Sequence, residues 1–151
     1  MPQSLAEIYI HIVFSTKCRK RYLSNITIRN KLYAYTAAIL KNHNTYLSTI
    51  GGTSDHVHIL CTIPRDRDLS SIIKEAKRSS CIWLKQQDEQ FRFFAWQAGF
   101  AAFSVSYSNV SIVSKYIQNQ HQHHKQLSFE DELRTLLQHH EITFNEEYLW
   151  D

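Results

Sequence analysis

Residues that break or cross-link a chain are scarce in this sequence. Its 151 residues include three glycines, two prolines and three cysteines. With so few glycines and prolines, no flexible linker between domains is visible, so one domain over residues 1–151 with closely connected elements is expected. Cys18, Cys61 and Cys81 are odd in number and have no CxxC spacing. That argues against a disulfide framework and a thiolate zinc site, and fits a reducing cytoplasm. The longest nearly apolar stretch of the first half, Ile8 to Phe14, is interrupted by His11 and falls far short of the roughly 18 residues that a membrane span needs. Residues 1–20 lack a basic start followed by a long apolar block, which argues against a secretory signal. No glycine-rich phosphate loop is present, and no nucleotide cofactor is expected.

What is there fits a globular domain with a sizeable core: 43% apolar, 13% aromatic and 21% charged residues. The formal net charge is +3, from 17 Lys and Arg against 14 Asp and Glu, with nine histidines that add positive charge as pH falls. This modest excess is compatible with nucleic acid, and its distribution is more telling than its size. Lys17, Arg19, Lys20 and Arg21 form one basic knot and Lys74, Lys77 and Arg78 another. Glu130, Asp131, Glu132, Glu141, Glu146, Glu147 and Asp151 make the last quarter acidic. Each basic knot is a candidate contact for nucleic-acid phosphate, with ordinary solubilising charge as the alternative.

Ile8, Ile10, Ile12 and Phe14 alternate with Tyr9, His11 and Val13, the period of a strand ending near Ser15. Helical spacing of Ile28, Leu32, Tyr35 and Ile39 predicts a helix over 27–42. Residues 46–50 then read as a strand, Gly51-Gly52 as a tight turn, and 55–63 as the hairpin partner stopped by Pro64. In that partner Val57, Ile59, Cys61 and Ile63 point one way, and His56, His58, Leu60 and Thr62 the other. Leu69, Ile72, Ile73, Ala76 and Trp83 mark a second amphipathic helix, and 95–106 a fourth strand with Gly99 as a possible bulge. Asn109 is a plausible N-cap for a third helix to about Gln120, and Ser128 to Asp131 has capping-box spacing ahead of Phe129, Leu133, Leu136 and Leu137. The order β-α-β-β-α-β-α-α predicts an α+β, ferredoxin-like (split βαβ) antiparallel sheet, with two helices on one face and the other face left open by the first six elements.

His56 and His58 stand two apart on a predicted strand, so both imidazoles project from one face about 6.6–6.8 Å apart along the chain, which suits two ligands of one metal. Tyr116 and Gln120, four apart on the third helix, lie one above the other. Val110, Val113 and Ile117 form that helix's apolar stripe, and Tyr116 falls about a quarter turn aside, where it can border a site. Read from the pattern alone, a structural tyrosine beside a solvated glutamine remains open. Taken together, a tyrosine hydroxyl can attack a phosphodiester while a cation held by two histidines and an amide oxygen offsets the phosphate charge. Exchanging one phosphodiester for another is close to isoenergetic and needs no ATP.

His56-Val57-His58 resembles the HUH motif (histidine, bulky hydrophobic, histidine), and Tyr116 with Gln120 resembles the Tyr-x-x-x-Gln of the single-tyrosine HUH transposases, the TnpA enzymes of small insertion sequences, including REP-associated tyrosine transposases. The similarity extends through Trp96-Gln97, Phe103-Ser104-Val105-Ser106, Ser108-Asn109-Val110, Tyr116-Ile117-Gln118-Asn119-Gln120 and His123-His124. The histidines precede the tyrosine, unlike in relaxases, whose tyrosine lies near the N-terminus. The resemblance implies a DNA transposase acting as a homodimer on single-stranded DNA with hairpins, using Mg²⁺ or Mn²⁺, through a covalent 5′-phosphotyrosine intermediate and a free 3′-hydroxyl. It also implies Tyr116 as nucleophile and His56, His58 and Gln120 as metal ligands, with the tyrosine helix of one subunit often set against the histidines of the other. Two nitrogens and one oxygen suit Mn²⁺ at least as well as Mg²⁺. His121, His123 and His124 are candidates for a second metal site or a helix end where imidazolium complements the dipole. A non-catalytic nucleic-acid-binding module and a domesticated enzyme acting on chromosomal hairpins are the competing readings.

Overall fold

A computed structural model of the protein describes residues 2–120 and 127–151. His121, His123 and His124 lie outside the described residues. Four strands, β1 (Tyr9–Ser15), β2 (Leu47–Gly52), β3 (His56–Thr62) and β4 (Ala101–Val105), form one antiparallel sheet in the order β2-β3-β1-β4. Helices α1 (Ile26–Asn42) and α2 (Leu69–Lys85) connect them in the split βαβ manner. Among the described residues, no helix is long and apolar enough to cross a membrane.

The helix starts are set locally. The Asn25 amide oxygen Oδ1 accepts from the backbone N–H groups of Thr27 and Ile28, and the Asp68 side chain accepts from that of Ser71, so each helix begins where its orphan donors find an acceptor. The alternation read from β1 and β3 then sorts their residues. Ile12 and Phe14 join Val57, Ile59 and Cys61 in a core shared with Leu40 of α1 and Ile72, Ile73 and Ala76 of α2. His11, Val13, His56, His58 and Leu60 are buried on the opposite face.

That second face is covered. Helices α3 (Val110–Gln118) and α4 (Phe129–His139) lie over it, followed by a short α5 (Glu146–Leu149). Val13 and Phe103 pack against Phe129, Leu133 and Leu137 of α4 in a second core. Ser128 caps α4 by accepting from the Asp131 N–H at 3.2 Å, as the sequence spacing indicated. Asn109 occupies the N-cap position of α3, but its side chain makes no capping hydrogen bond; a 3₁₀ turn, Tyr107–Asn109, leads into the helix instead.

Two expectations change. Gly51-Gly52 is the end of β2, not the turn, which falls at 53–55. Glycine is required at 51 because α3 crosses there: a Cβ would sit 2.6 Å from the Ile117 carbonyl oxygen and 3.1 Å from its Cγ2. The fourth strand is only Ala101–Val105. Upstream, Trp96 bridges Thr16 in isolation and otherwise packs on Phe14 and Phe94. The aromatics of 93–100 thus do not mark pairing: Phe94 packs with Leu32 of α1 and Leu84 of α2, Trp96 with Phe14 of β1, and Phe93 is exposed, and Gly99 marks no bulge.

Gly51→Val is therefore expected to push α3 off the sheet and lower stability by about 1–3 kcal/mol, the usual cost of overpacking. Urea unfolding measures it, and an unchanged midpoint would contradict the close approach.

Candidate active site

β3 begins at His56 and presents His56 and His58, both fully buried, to the face beneath α3 and α4. α3 is pinned over β2 by the Gly51 contact and by a hydrogen bond between the Thr49 and Ser114 hydroxyls. This seats Ile117 in the core and turns Tyr116 aside, its ring 5.9 Å from that of His58 at 80°. Gln120, just beyond the last residue of α3, is buried, and its Oε1 lies 3.0 Å from His56 Nε2. The four residues singled out in the sequence therefore meet at one point, within a single chain.

A fifth residue joins them. Glu132 of α4 is 2% exposed, and its two carboxylate oxygens face different partners. Oε1 lies 2.9 Å from His58 Nε2 and 3.7 Å from His56 Nε2. Oε2 accepts from the Tyr116 hydroxyl and, at 3.1 Å, from Gln120 Nε2. Phe129, one turn earlier on α4, stacks on the His56 ring with centroids 4.2 Å apart. In the sequence Glu132 reads as one of seven acidic residues in a solvated last quarter. The signal that sets it apart is its place between Phe129 and Leu136, three and four residues away on the apolar stripe, where an acidic side chain is buried.

Outer partners orient the histidines. His56 Nδ1 donates to Asp55 Oδ1 at 2.8 Å, with the Thr53 hydroxyl 3.0 Å from the same nitrogen. His58 Nδ1 lies 2.8 Å from Nε2 of His11, a buried residue of β1. Burial first, then the neighbouring His58, pushes the His11 pKa down to about 3, which leaves that imidazole neutral at ordinary pH. The Tyr116 hydroxyl is held well above its usual pKa, first by burial and then by the charge and hydrogen bond of Glu132, so the phenol is protonated here.

His56, His58 and Glu132 form a buried group whose ligand atoms all lie within 4.8 Å of one another, and such a group could hold a metal ion. The chemistry of the donors fits a divalent cation: Glu132 Oε1 lies 2.9 Å from His58 Nε2 and 3.7 Å from His56 Nε2, and the Gln120 amide oxygen 3.0 Å from His56 Nε2, so two imidazole nitrogens meet two oxygens.

The sequence profile described as "Transposase IS200 like" matches residues 4–120. The chain belongs to the IS200-like transposase family. That makes it a DNA-processing enzyme of the transposase class, as its histidine and tyrosine motifs implied. Among solved structures, it is similar to a Deinococcus radiodurans R1 protein assigned as a transposase, at 18% identity over 80% of this chain and 95% of that one, with a TM-score of 0.62. It is also similar to a REP-associated tyrosine transposase bound to a REP hairpin, at 15% identity over 84% of this chain and 74% of that one, with a TM-score of 0.61. At these identities the likeness is one of fold. No curated protein matches the chain significantly.

The basic residues fall on two sides of this IS200-like transposase. Lys17, Arg19, Lys20 and Arg21 follow β1, where the Thr16 N–H donates to the Asp55 carbonyl, so this knot adjoins the histidine end of the sheet. Lys17, Lys20 and Arg21 are exposed, while Arg19 pairs with Glu130 of α4 and lies over the Trp150 ring. Lys74, Lys77 and Arg78 are on α2, across the sheet from the histidines. There the Lys77 ammonium donates to the Gln97 and Gly99 carbonyls, and Arg78 pairs with Glu75. Lys74 is exposed. Gln97, of the Trp96-Gln97 motif, ties two parts of the chain together. Its Oε1 accepts from the Ser15 N–H at 2.7 Å and its Nε2 donates to the Asp151 carbonyl at 3.2 Å.

Proposed function

We propose that this transposase cleaves and rejoins single-stranded DNA at the ends of its element, with Tyr116 as nucleophile and His56, His58, Gln120 and Glu132 as ligands of Mg²⁺ or Mn²⁺. The observation that carries the reading is the convergence of the Tyr116 hydroxyl with the His56, His58, Gln120 and Glu132 side chains, side chains of the types that ligate metals, on one face of the sheet. A divalent ion bound there would offset the charge on the scissile phosphate and on the departing 3′ oxygen.

His56 and His58, held in place by β3, would hold the ion through Nε2. Gln120 and Glu132 would add oxygen ligands from outside the sheet, a mixed set suited to either ion, with its nitrogens favouring Mn²⁺. Glu132 Oε2, which accepts from the Tyr116 hydroxyl, is placed to take the phenol proton as the phenolic oxygen attacks phosphorus. The new Tyr116 O–P bond forms as the bond to the 3′ oxygen breaks, and that oxygen takes a proton from water. The product is a 5′-phosphotyrosine ester with a free 3′-hydroxyl, and attack by a second 3′-hydroxyl reverses the step and rejoins strands.

A hairpin near the element end is the feature proposed for recognition, in keeping with the hairpin named for one structural neighbour. Lys17, Lys20 and Arg21 are the proposed phosphate contacts beside the site, with Lys74 and Arg78 on the other side of the sheet, and sequence-independent phosphate binding makes affinity fall with salt. The protein is proposed to work as a homodimer in the cytoplasm.

The test is a denaturing gel of protein incubated with end-labelled single strands from the flanks of its own gene, with Mg²⁺, Mn²⁺ or chelator. A metal-dependent adduct that survives denaturation is expected. Tight hairpin binding with no adduct under any metal would replace this reading with that of a binding module.

A further inference from the structure

We infer that His11 is a positioning residue for the metal centre: through its hydrogen bond it holds His58 in the tautomer that turns the Nε2 lone pair toward the ion. The inference rests on the metal-ligand reading above and concerns a residue outside the ligand set.

An imidazole ligates only through a nitrogen that carries no proton, so ligation by His58 Nε2 requires the proton to be on Nδ1. A proton there, on a fully buried ring, needs an acceptor. The described partner of His58 Nδ1 is His11 Nε2, 2.8 Å away, with the two rings inclined by 26° and centroids 5.1 Å apart. The register explains why His11 is within reach. Val13 stands directly opposite His58 and His11 opposite Leu60, so His11 is the diagonal neighbour of His58 on the same face.

The two ligands have chemically different outer partners. His56 Nδ1 meets the Asp55 carboxylate, an acceptor that suits the tautomer with its proton on Nδ1. His58 meets a neutral imidazole, which can either donate or accept. Without metal, His11 Nε2–H donates to His58 Nδ1, and His58 Nε2–H donates to Glu132 Oε1, the 2.9 Å contact. With metal, the hydrogen bond reverses: His58 Nδ1–H donates to His11 Nε2. Each ring keeps one proton, which passes from Nε2 to Nδ1 in His58 and likewise from Nε2 to Nδ1 in His11. His11 therefore keeps an acceptor opposite the His58 Nδ1 proton when an ion is bound, which an aliphatic or phenyl side chain at position 11 could not do.

The test is calorimetric titration of Mn²⁺ into full-length wild type, His11→Phe and His11→Gln, with thermal melts on all three. His11→Phe keeps the ring volume and removes the hydrogen bond, while His11→Gln restores an acceptor. Outer-shell partners typically govern about 10- to 100-fold in metal affinity, so His11→Phe is expected to bind that much more weakly and His11→Gln to recover to within about threefold of wild type. Nitrogen-15 NMR of the wild type provides a readout that needs no variant: the His58 proton is expected on Nε2 without metal and on Nδ1 with Mg²⁺ bound. Wild-type affinity in a folded His11→Phe, a folded His11→Gln as weak as Phe, or a His58 proton on Nε2 in the loaded protein would each overturn the role of His11 while leaving the metal centre intact. A wild type that binds no Mn²⁺ would overturn both.

Discussion

Tyr116→Phe is expected to eliminate the covalent protein–DNA adduct and to lower strand cleavage by at least about 10⁴-fold, the scale on which loss of a sole nucleophile acts. The substitution removes one oxygen and little else. The ring keeps its edge contacts with His58 and His11, and Glu132 Oε2 keeps the Gln120 amide as a donor. Loss of one hydrogen bond to a carboxylate from a half-buried phenol costs about 1–3 kcal/mol of stability at most, so the variant should fold and bind hairpin DNA with wild-type affinity. A labelled strand incubated with both proteins and run on a denaturing gel, alongside a gel shift under native conditions, separates the two effects. An adduct of undiminished intensity in the variant would remove Tyr116 from the mechanism.

Glu132→Gln carries the second largest effect. The amide has the shape of the carboxylate but no charge, and its NH₂ group cannot accept at both places where the carboxylate oxygens now accept. Because Oε1 faces both histidines, the change removes the one anionic ligand of the proposed centre. A Mn²⁺ affinity lower by at least about 100-fold, ~2.8 kcal/mol, is expected, together with a loss of metal-dependent cleavage. Titration calorimetry reads the first and the adduct gel the second. Unaltered affinity would show that Gln120 and the histidines suffice as ligands, and would restrict Glu132 to its contact with the Tyr116 hydroxyl.

Much of the site was readable because its signals are local. The alternation around His56-Val57-His58 settles which face the imidazoles take, since the period of a strand sorts side chains whatever the sheet packs against. Tyr116 was correctly set at the flank of its helix by the stripe of Val113 and Ile117. Three other signals were ambiguous. A Gly-Gly pair is a turn signal by statistics, but here Gly51 answers to the backbone of Ile117, on a helix far along the chain. The aromatics at 93–100 fit a strand by composition, yet Trp96 is used as packing against Phe14. Glu132 is of the same acidic type as its neighbours Glu130 and Asp131, and it is the turn of α4 against the sheet that buries it beside the histidines.

The order of elements, the split βαβ plan, the face of β3 that bears the histidines, and the tyrosine and glutamine that answer them all follow from the residues in line, because each rests on a period of two or 3.6 residues or on a short motif. What those residues meet is a matter of packing. Strand pairing put His11 beside His58, the crossing of α3 over Gly51 brought Tyr116 to the imidazoles, and the docking of α4 on the otherwise open face delivered Glu132. The contacts of His11 with His58, His56 with Gln120 and His58 with Glu132 join residues 47, 64 and 74 positions apart. No local period spans such distances; they are set by which apolar faces must cover one another to leave water.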